Sequence, residues 1–142
     1  MKLNMDIKKI EEGKELTLDF SKLAEGVKLC KDIIPVAVQD MESMEVILVA
    51  YTNRQAFDQT LKTGTATFWS TTRNELWVKG KTSGNTFTVK NIFVNCEQNS
   101  LLYQVQKKAG GICHTFNKAG KARNCYYRKL NTKNLTLDNI DP

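Results

Sequence analysis

The sequence lacks any long hydrophobic run, although 41% of its 142 residues are apolar. No window approaches the roughly 18 apolar residues of a membrane-spanning helix, so we expect no membrane association. The opening stretch MKLNMDIKKIEEGKEL also lacks the apolar segment of a signal peptide. We therefore expect a cytoplasmic protein with a single domain over residues 1–142, in which a core at about 16–130 is flanked by extensions at 1–15 and 131–142.

Cysteine is scarce, with four residues at positions 30, 96, 113 and 125. Disulfides are not expected, because cytoplasmic thiols are kept reduced. The CxxC pair of a zinc ribbon and the paired histidines of a zinc finger are missing, which argues against a standard structural zinc module. Three thiolates from separate segments would leave one zinc coordination position open, as a catalytic site requires. The spacing alone leaves open whether the cysteines are metal ligands or small buried side chains.

Acidic residues are outnumbered by basic ones, which gives a formal net charge of +6 and a pI near 9.2. This balance favours an anionic partner, either a phosphorylated small molecule or a nucleic acid. The lysines are spread along the chain, and the aromatic residues do not alternate with them as in a base-stacking platform. We therefore do not expect nucleic acid to be the partner.

Hydrophobic patterning predicts an α+β domain that is mostly antiparallel β-sheet with one main helix. The helix should begin after the cap residue Asn53 and end at Gly64, with Phe57, Thr60 and Leu61 on one face. A weaker helical pattern precedes Leu16, and the polar tail from residue 131 onward is expected to be loosely held. The predicted strands are 33–39, 45–51, 65–71, 75–79, 86–96 and 101–107, the first two forming a hairpin buried on both faces.

Seven motifs follow one another along the chain: LDFSK, IIPVAVQD, EVILVAYTNRQAF, TFWSTTRNELWVKGKTSGN, VNCEQNS, GGICHT and CYYR. The block WSTTRNELWVKGKTSGN is the most specific, since no generic fold demands it. From about Leu18 to Arg128 the chain resembles the phosphoribosyl-AMP cyclohydrolase family of histidine biosynthesis. The resemblance implies zinc-dependent hydrolysis of the N1–C6 bond in the adenine ring of phosphoribosyl-AMP. It also implies an intertwined homodimer, for which we expect a barrel-like sheet.

The resemblance assigns the zinc ligands to Cys96, Cys113 and Cys125, contributed by both members of the dimer. It makes His114 the candidate catalytic base, because an imidazole can take and return a proton near neutral pH. Adjacent side chains of an extended strand point to opposite faces, so His114 reaches a metal on Cys113 only if the backbone turns there. The glycines at 110–111 would permit such a turn.

The family's substrate carries two phosphorylated riboses, and a glycine-rich stretch after the second tryptophan offers groups that suit such anions. Glycines let backbone amides bend toward a phosphate, and hydroxyl and ammonium groups complete the shell. Arg73 suits a two-pronged contact with a phosphate, while either tryptophan could stack on the purine or belong to the core. The predicted substrate-binding residues are Trp69, Arg73, Trp77, Lys79, Lys81, Thr82, Ser83 and Gly84.

Two departures from the family pattern concern ligands. Where the family carries three aspartates that bind Mg²⁺, this chain has Asn95, Glu97 and Asn99. Alternation along a strand predicts these three on one face and Cys96 on the other. The loss of two negative charges predicts weak or absent Mg²⁺ binding, since hard cations rely on anionic oxygens. In addition, Thr71 stands where the family has an arginine.

A third departure is the loop between Cys113 and Cys125, which is longer than in the family. Lys118, Lys121 and Arg123 lie in it, and we expect them to be solvated, although they could also replace the missing arginine at the substrate. A loop insertion adds little closure entropy, so the zinc site need not change. The sequence assigns no role to this insertion or to the two terminal extensions.

Three functions remain possible from the sequence. The first is a zinc-dependent phosphoribosyl-AMP cyclohydrolase that works as a homodimer. The second is a related zinc hydrolase or deaminase that acts on another purine nucleotide, motivated by the missing aspartates and arginine. The third is a non-catalytic zinc-bound domain that binds nucleotide or RNA through its basic surface. Cys30 matches no ligand of the family and is expected in the core.

Overall fold

A computed structural model describes residues 4–81, 83–108 and 112–142, with side chains from residue 7 onward. These residues form two compact units, one made of residues 4–19 and 112–142 and the other of residues 20–81 and 83–108. None of the described helices is long and apolar enough to cross a membrane. The expectation of a single domain stays a prediction.

Three helices and eight strands lie within the described residues. The helices are α1 (Asn4–Glu12), α2 (Lys22–Leu29) and α3 (Arg54–Thr63). The strands are β1 (Ile34–Asp40), β2 (Val46–Thr52), β3 (Thr67–Ser70), β4 (Glu75–Val78), β5 (Phe87–Val94), β6 (Leu101–Lys107), β7 (Arg128–Asn131) and β8 (Thr136–Asn139). The α+β class is confirmed, but the expectation of one main helix is wrong. The sequence does not predict α2, because a glycine in the middle of a segment disfavours a helix. In the structure Gly26 is buried and packs closely, since an added Cβ would lie 3.2 Å from Thr71 Cβ.

The larger unit is built on a four-stranded sheet of order β2-β1-β6-β5. β1 pairs antiparallel with β2 and parallel with β6, while β5 and β6 are antiparallel. The predicted antiparallel hairpin of β1 and β2 is confirmed, with each strand displaced by one residue. Because β2 and β5 are separate end strands, the sheet is open, and the expectation of a barrel-like sheet is wrong.

Burial along β1 and β2 alternates, so the expectation that both strands are buried on two faces is wrong. Val36 and Val38 are fully buried, whereas Val49 is 43% exposed. On the opposite face of the sheet, a chain of amide hydrogen bonds crosses three strands. Gln104 donates to Gln39 Oε1 at 2.9 Å, and Asn91 donates to Gln104 Oε1 at 3.0 Å. This polar face is the physical reason for the alternation.

The predicted cap residues of α3 are confirmed. Asn53 Oδ1 accepts a hydrogen bond from the amide of Ala56 at 2.9 Å, and Gly64 ends the helix with φ of 73°. Thr60 is buried, and its hydroxyl also bonds the backbone of Thr67 in β3, which docks the helix on that strand. Leu61 is 57% exposed, so the predicted inner face is wrong for this residue. The buried row is the i, i+4 pair Ala56 and Thr60.

The core of the larger unit lies between the four-stranded sheet and the hairpin of β3 and β4. Tyr103 and Phe68 are fully buried, and their rings stack with centroids 6.0 Å apart. Cys30 is 2% exposed, and its thiol donates to the carbonyl of Thr71 at 3.5 Å. Its predicted place in the core is confirmed.

The smaller unit combines α1, the loop of residues 112–127 and the hairpin of β7 and β8. The two strands pair from Arg128 with Asn139 to Asn131 with Thr136. The segment after α1 adds to this hairpin, because the amide of Leu137 donates to the carbonyl of Lys14 at 2.8 Å. The expectation of a loosely held tail is therefore wrong: its polar side chains are exposed, but its backbone is paired.

Candidate active site

The two tryptophans lie on opposite faces of the β3–β4 hairpin. Trp77 is paired with Phe68, which is fully buried, and the two rings are 5.7 Å apart. Trp77 is therefore on the face directed to the core. Trp69 is paired with Leu76 on the other face, where its indole nitrogen donates to Asn74 Oδ1 at 3.1 Å. Of the two predicted stacking residues, Trp69 is thus the one placed away from the core.

Arg73 lies in the exposed turn between β3 and β4. Its Nη1 is 3.4 Å from Glu75 Oε1, and its Nε donates to Ser70 Oγ at 3.4 Å. More than half of the Arg73 side chain is exposed, and exposed ion pairs contribute little free energy. A phosphate can therefore replace Glu75 at this guanidinium at small cost.

The predicted glycine-rich loop follows β4 directly and is closed by its own backbone. Gly80 has φ of 82°, and a Cβ at this position would lie 2.1 Å from the carbonyl carbon of Asn85. The amide of Gly84 donates to Gly80 O at 2.7 Å, and the amide of Lys81 donates to Val78 O at 3.2 Å. These two amides hold the turn together, so the expectation that the loop amides point toward an anion is wrong for both.

The side chains of the same loop offer cationic and hydroxyl groups. Lys79 Nζ lies 5.6 Å from the ring of Trp77, within range of a cation–π contact. Lys81 and Ser83 are exposed, and Ser83 Oγ accepts a hydrogen bond from the amide of Asn85 at 3.3 Å. Thr82, also predicted to bind substrate, lies outside the described residues.

The predicted magnesium positions come together in a turn and not along a strand. β5 ends at Val94, so Cys96 lies two residues beyond it, and the expected alternation of faces is wrong. Asn95 Oδ1 accepts from the amides of Asn99 and Ser100, both at 2.9 Å. Asn95 also donates to Asn99 Oδ1 at 2.6 Å, and Asn99 donates to Glu97 Oε2 at 3.2 Å. The cluster is thus closed by its own side chains.

This cluster does not fit Mg²⁺. A magnesium ion requires oxygen lone pairs directed at one point, preferably from carboxylates. Here the amide oxygens of Asn95 and Asn99 already accept hydrogen bonds, and the amide of Asn99 occupies an oxygen of Glu97. These oxygens are therefore directed at hydrogen-bond donors of the cluster and not at a common point that a cation could occupy.

Cys113 and Cys125 are carried by two paired segments of one loop. The amides of Ile112 and Cys113 both donate to the carbonyl of Arg123, at 2.9 and 2.6 Å, and the amide of Arg123 donates to Thr115 O at 3.0 Å. Cys125 follows two residues later. The hydroxyl of Thr115, which is 6% exposed, donates to Cys113 Sγ at 3.3 Å. This hydrogen bond fixes the position of the Cys113 sulfur relative to the loop.

His114 lies in the bend that follows Cys113 and is largely exposed. Its Nε2 is 2.7 Å from Glu11 Oε2, a carboxylate carried by α1. The exposed fraction of the side chain is 73% for His114 and 35% for Glu11. The imidazole is therefore accessible to a ligand while one of its nitrogens is held by a carboxylate.

Arg123 is buried, and the expectation that it is solvated is wrong. Its side chain is 7% exposed and donates to Asp141 O at 2.7 Å and to Glu12 Oε1 at 3.1 Å. The guanidinium also lies 4.6 Å from the ring of Tyr127. The other two cations of the loop, Lys118 and Lys121, are exposed as predicted. One cation of this loop, Arg123, therefore bonds both Glu12 in α1 and Asp141 near the carboxyl end.

The donor set for zinc is chemically suitable, although its ligands belong to different parts of the chain. All four cysteines are free thiols, with Cys96 and Cys125 exposed and Cys113 partly exposed. Among the described residues, no three side chains of His, Cys, Asp or Glu come together as a metal-binding group. The zinc ligands assigned from the sequence stay a prediction.

Comparisons with known proteins match the residues of this site. A family model for phosphoribosyl-AMP cyclohydrolase matches residues 48–127. A phosphoribosyl-AMP cyclohydrolase of Cenarchaeum symbiosum is 46% identical over 98 residues, which cover 69% of this chain and 85% of that protein. One of Desulfatibacillum aliphaticivorans is 39% identical over 105 residues, which cover 74% of this chain and 80% of that protein. The chain belongs to the phosphoribosyl-AMP cyclohydrolase family.

Membership in the phosphoribosyl-AMP cyclohydrolase family confirms the resemblance seen in the sequence. It also confirms the predicted enzyme class, a hydrolase of histidine biosynthesis that acts on a cyclic amidine C–N bond. The matched residues include the β3–β4 hairpin, the turn of Cys96 and the loop of His114. α1 and the β7–β8 hairpin lie outside the match.

Two contributors to the site were missed from the sequence. Thr115 stands in the GGICHT motif, and its position two residues after Cys113 was the available signal. Glu11 gave no signal, because it is 103 residues away from His114 and belongs to a weakly patterned segment. Only the folded chain brings Glu11 to the imidazole.

Proposed function

We propose that this chain catalyses the zinc-dependent hydrolysis of the N1–C6 bond of phosphoribosyl-AMP. The observation that carries the proposal is the Cys113–His114–Thr115 segment in a chain of this family. There, a thiol receives a hydroxyl hydrogen bond beside an exposed imidazole. A proposed metal ligand next to a proton carrier can support hydrolysis of a ring C–N bond.

The residues that would hold the zinc ion are Cys96, Cys113 and Cys125. When bound, the ion supplies an acidified water, and three thiolates acidify it less than three neutral imidazoles would. A protein base is therefore needed. In the proposed mechanism, His114 accepts a proton from the water that attacks C6 and returns a proton to N1 as the C6–N1 bond breaks.

The two phosphates of the substrate have two cationic regions available. Arg73 precedes β4 and the Lys79–Gly84 loop follows it, so an extended chain separates Arg73 and Lys79 by up to roughly 20 Å. One guanidinium and one ammonium at this distance suit two different phosphates of a long substrate. Trp69 lies on the hairpin between them, on the outer face, and is the proposed stacking residue for the purine.

We further propose that the enzyme works as an intertwined homodimer. Apolar side chains are exposed along the end strands of the large sheet, including Phe93 at 51%, Val94 at 54% and Val46 at 47%. A second copy that covers these residues would remove apolar surface from water. The expected cytoplasmic location stays a prediction.

Turnover of phosphoribosyl-AMP tests the proposal, followed by the absorbance change on ring opening. We expect the wild type to be active with bound zinc, and Cys113→Ser to lose both zinc and turnover while staying folded by circular dichroism. Cys30→Ala is the matched control, because it removes a core thiol that is not a proposed ligand. A zinc-free wild type with full activity would contradict the proposal.

An inactive wild type would favour the second function, zinc-dependent hydrolysis of another purine nucleotide. The Asn95–Asn99 cluster and Thr71 in place of an arginine are the features that motivate it. A screen of purine nucleotides with the zinc-loaded protein then identifies the substrate. If none is hydrolysed but nucleotide or RNA binds, the non-catalytic function applies.

Magnesium is not part of the proposed mechanism, and calorimetry can test this directly. We expect no measurable Mg²⁺ binding by the wild type, because the oxygens of Asn95 and Asn99 are engaged in hydrogen bonds. The double variant Asn95→Asp/Asn99→Asp removes both amide groups and adds two negative charges, so it should gain Mg²⁺ affinity. Tight binding by the wild type that is abolished in Glu97→Gln would show that the amides do not exclude the ion.

A further inference from the structure

The smaller unit brings together three segments that the sequence left without a role. They are α1, the insertion between Cys113 and Cys125, and the β7–β8 hairpin. Arg123 connects them, since its side chain bonds Glu12 at the end of α1 and the carbonyl of Asp141 near the carboxyl end. α1 and the residues from 128 onward, which lie outside the family match, therefore contact the loop that carries the proposed catalytic base.

Residues 11–13, at the end of α1 and just after it, are held by side chains from the end of this loop and the start of β7. The hydroxyl of Tyr127 donates to the carbonyl of Glu11, Arg123 bonds the carboxylate of Glu12, and Arg128 Nη1 donates to Gly13 O at 2.9 Å. Three contacts from residues 123–128 fix the position of the helix end along the loop. These backbone and side-chain contacts place the carboxylate of Glu11 next to the ring of His114, so the position of Glu11 does not depend on the His114 contact alone.

The contact between Glu11 and His114 selects one nitrogen of the imidazole. An ionised carboxylate only accepts hydrogen bonds, so Nε2 must carry the hydrogen in the 2.7 Å contact with Glu11 Oε2. In a neutral ring the proton acceptor is then Nδ1, for which the described residues provide no hydrogen bond. The same relation between a carboxylate and a histidine fixes the tautomer in other hydrolases.

We propose that Glu11 is a positioning residue for the phosphoribosyl-AMP cyclohydrolase reaction. It holds His114 as the Nε2–H tautomer, with Nδ1 turned to the substrate. This inference rests on the proposed function, because it assumes that His114 is the base. The amino-terminal helix is then part of the catalytic apparatus, although it is not part of the matched family region.

A structural role alone would give a different result from a positioning role. An exposed pair between a carboxylate and a histidine adds little to the free energy of unfolding. Loss of Glu11 should therefore leave folding nearly unchanged and lower kcat, while KM changes little because no substrate contact is removed. Removal of a residue that orients a catalytic ligand typically lowers activity by about 10- to 100-fold.

The experiment compares Glu11→Ala, Glu11→Gln and Glu15→Ala in the zinc-loaded full chain. Glu15 is the control because it belongs to the same segment but pairs with Lys9, at 3.1 Å, and its side chain is 61% exposed. We expect kcat to fall about 10- to 100-fold in Glu11→Ala, with KM within about twofold. Glu11→Gln should fall between, because its amide oxygen still accepts from Nε2–H but lacks the charge. Glu15→Ala should match the wild type.

A second readout is independent of substrate. His114 is the one histidine of the chain, so the imidazole signals of the ¹⁵N-labelled protein need no assignment. At one fixed pH at which the ring is neutral, the couplings between the carbon-bound ring protons and the two ring nitrogens should report a hydrogen on Nε2 in the wild type and in Glu15→Ala. Glu11→Ala should show a larger share of the Nδ1–H tautomer.

The outcomes separate this inference from the proposed function. A wild type that does not turn over phosphoribosyl-AMP removes the proposed function and the catalytic role of Glu11 with it. If the wild type is active but Glu11→Ala has the same kcat as Glu15→Ala, the function stands and the inference is wrong. A neutral wild-type ring with its hydrogen on Nδ1, or an unchanged tautomer in Glu11→Ala, would also overturn it.

Discussion

The loops of the larger unit and the loop of the smaller unit are stabilised in different ways. The turn at 95–100 and the described residues of the loop at 79–85 are closed by hydrogen bonds between residues at most five positions apart. The loop at 112–125 has local backbone bonds as well, but its Arg123 side chain also bonds Glu12 and Asp141, which are 111 and 18 positions away. Local sequence can therefore shape the first two loops, whereas the position of the third also depends on the folded unit.

Loss of the buried guanidinium should produce the largest effect. Arg123→Ala removes two hydrogen bonds of a charged donor, to Glu12 and to the carbonyl of Asp141, and the contact with the Tyr127 ring. At about 2 kcal/mol for each charged hydrogen bond, we expect a loss of about 4 kcal/mol of unfolding free energy. Urea denaturation measures it. The control Lys121→Ala removes an exposed cation of the same loop and should cost less than about 0.5 kcal/mol. Equal effects of the two variants would erase the difference between the loops.

An intermediate effect is expected in the glycine-rich loop. Gly80→Ala places a Cβ against the carbonyl of Asn85 and imposes a positive φ on alanine, and we expect a loss of about 3 kcal/mol. Gly84→Ala is the matched control, because Gly84 has φ of 79° but no heavy atom within 4 Å of the added Cβ. It should cost about 1 kcal/mol, from backbone strain alone. Thermal unfolding distinguishes the two, and a larger loss for Gly84→Ala would contradict the packing argument.

The smallest effect should occur in the turn at 95–100. Asn95→Ala removes three hydrogen bonds, but all of them are exposed, so we expect a loss of about 1 kcal/mol. Gln98→Ala in the same turn serves as the control, since it leaves those bonds intact and should be nearly neutral. Should Asn95→Ala destabilise the protein as much as Arg123→Ala, the turn would have to be held by more than its own side chains.

The sequence predicts well those helices and strands that are determined by neighbouring residues. The cap residues Asn53 and Gly64 identify α3, and the turn between two apolar runs identifies the β1–β2 hairpin, because capping and strand pairing depend on neighbouring residues. α2 was missed because a central glycine usually disfavours a helix, and its packing against Thr71 is a tertiary contact. The paired tail was missed for another reason: β7 and β8 form a local hairpin, but their polar sequence lacks the apolar alternation that predicts strands.

The candidate site shows the same division. Motifs along the chain identified Cys96, Cys113, Cys125 and His114 as candidates, and family membership is consistent with that reading. The alternation assumed for Asn95, Glu97 and Asn99 failed because side-chain hydrogen bonds compete with an extended backbone. A turn therefore replaced the expected strand.

The sequence by itself determined the family, the enzyme class and the chemistry available to the site, because these depend on which side chains occur in which order. The tertiary structure decided that Arg123 is buried against Glu12 and that Glu11 meets His114. Contacts across more than a hundred residues leave no periodic or local trace in a sequence. They follow from the packing of α1 and the β7–β8 hairpin on one loop, which only the folded chain defines.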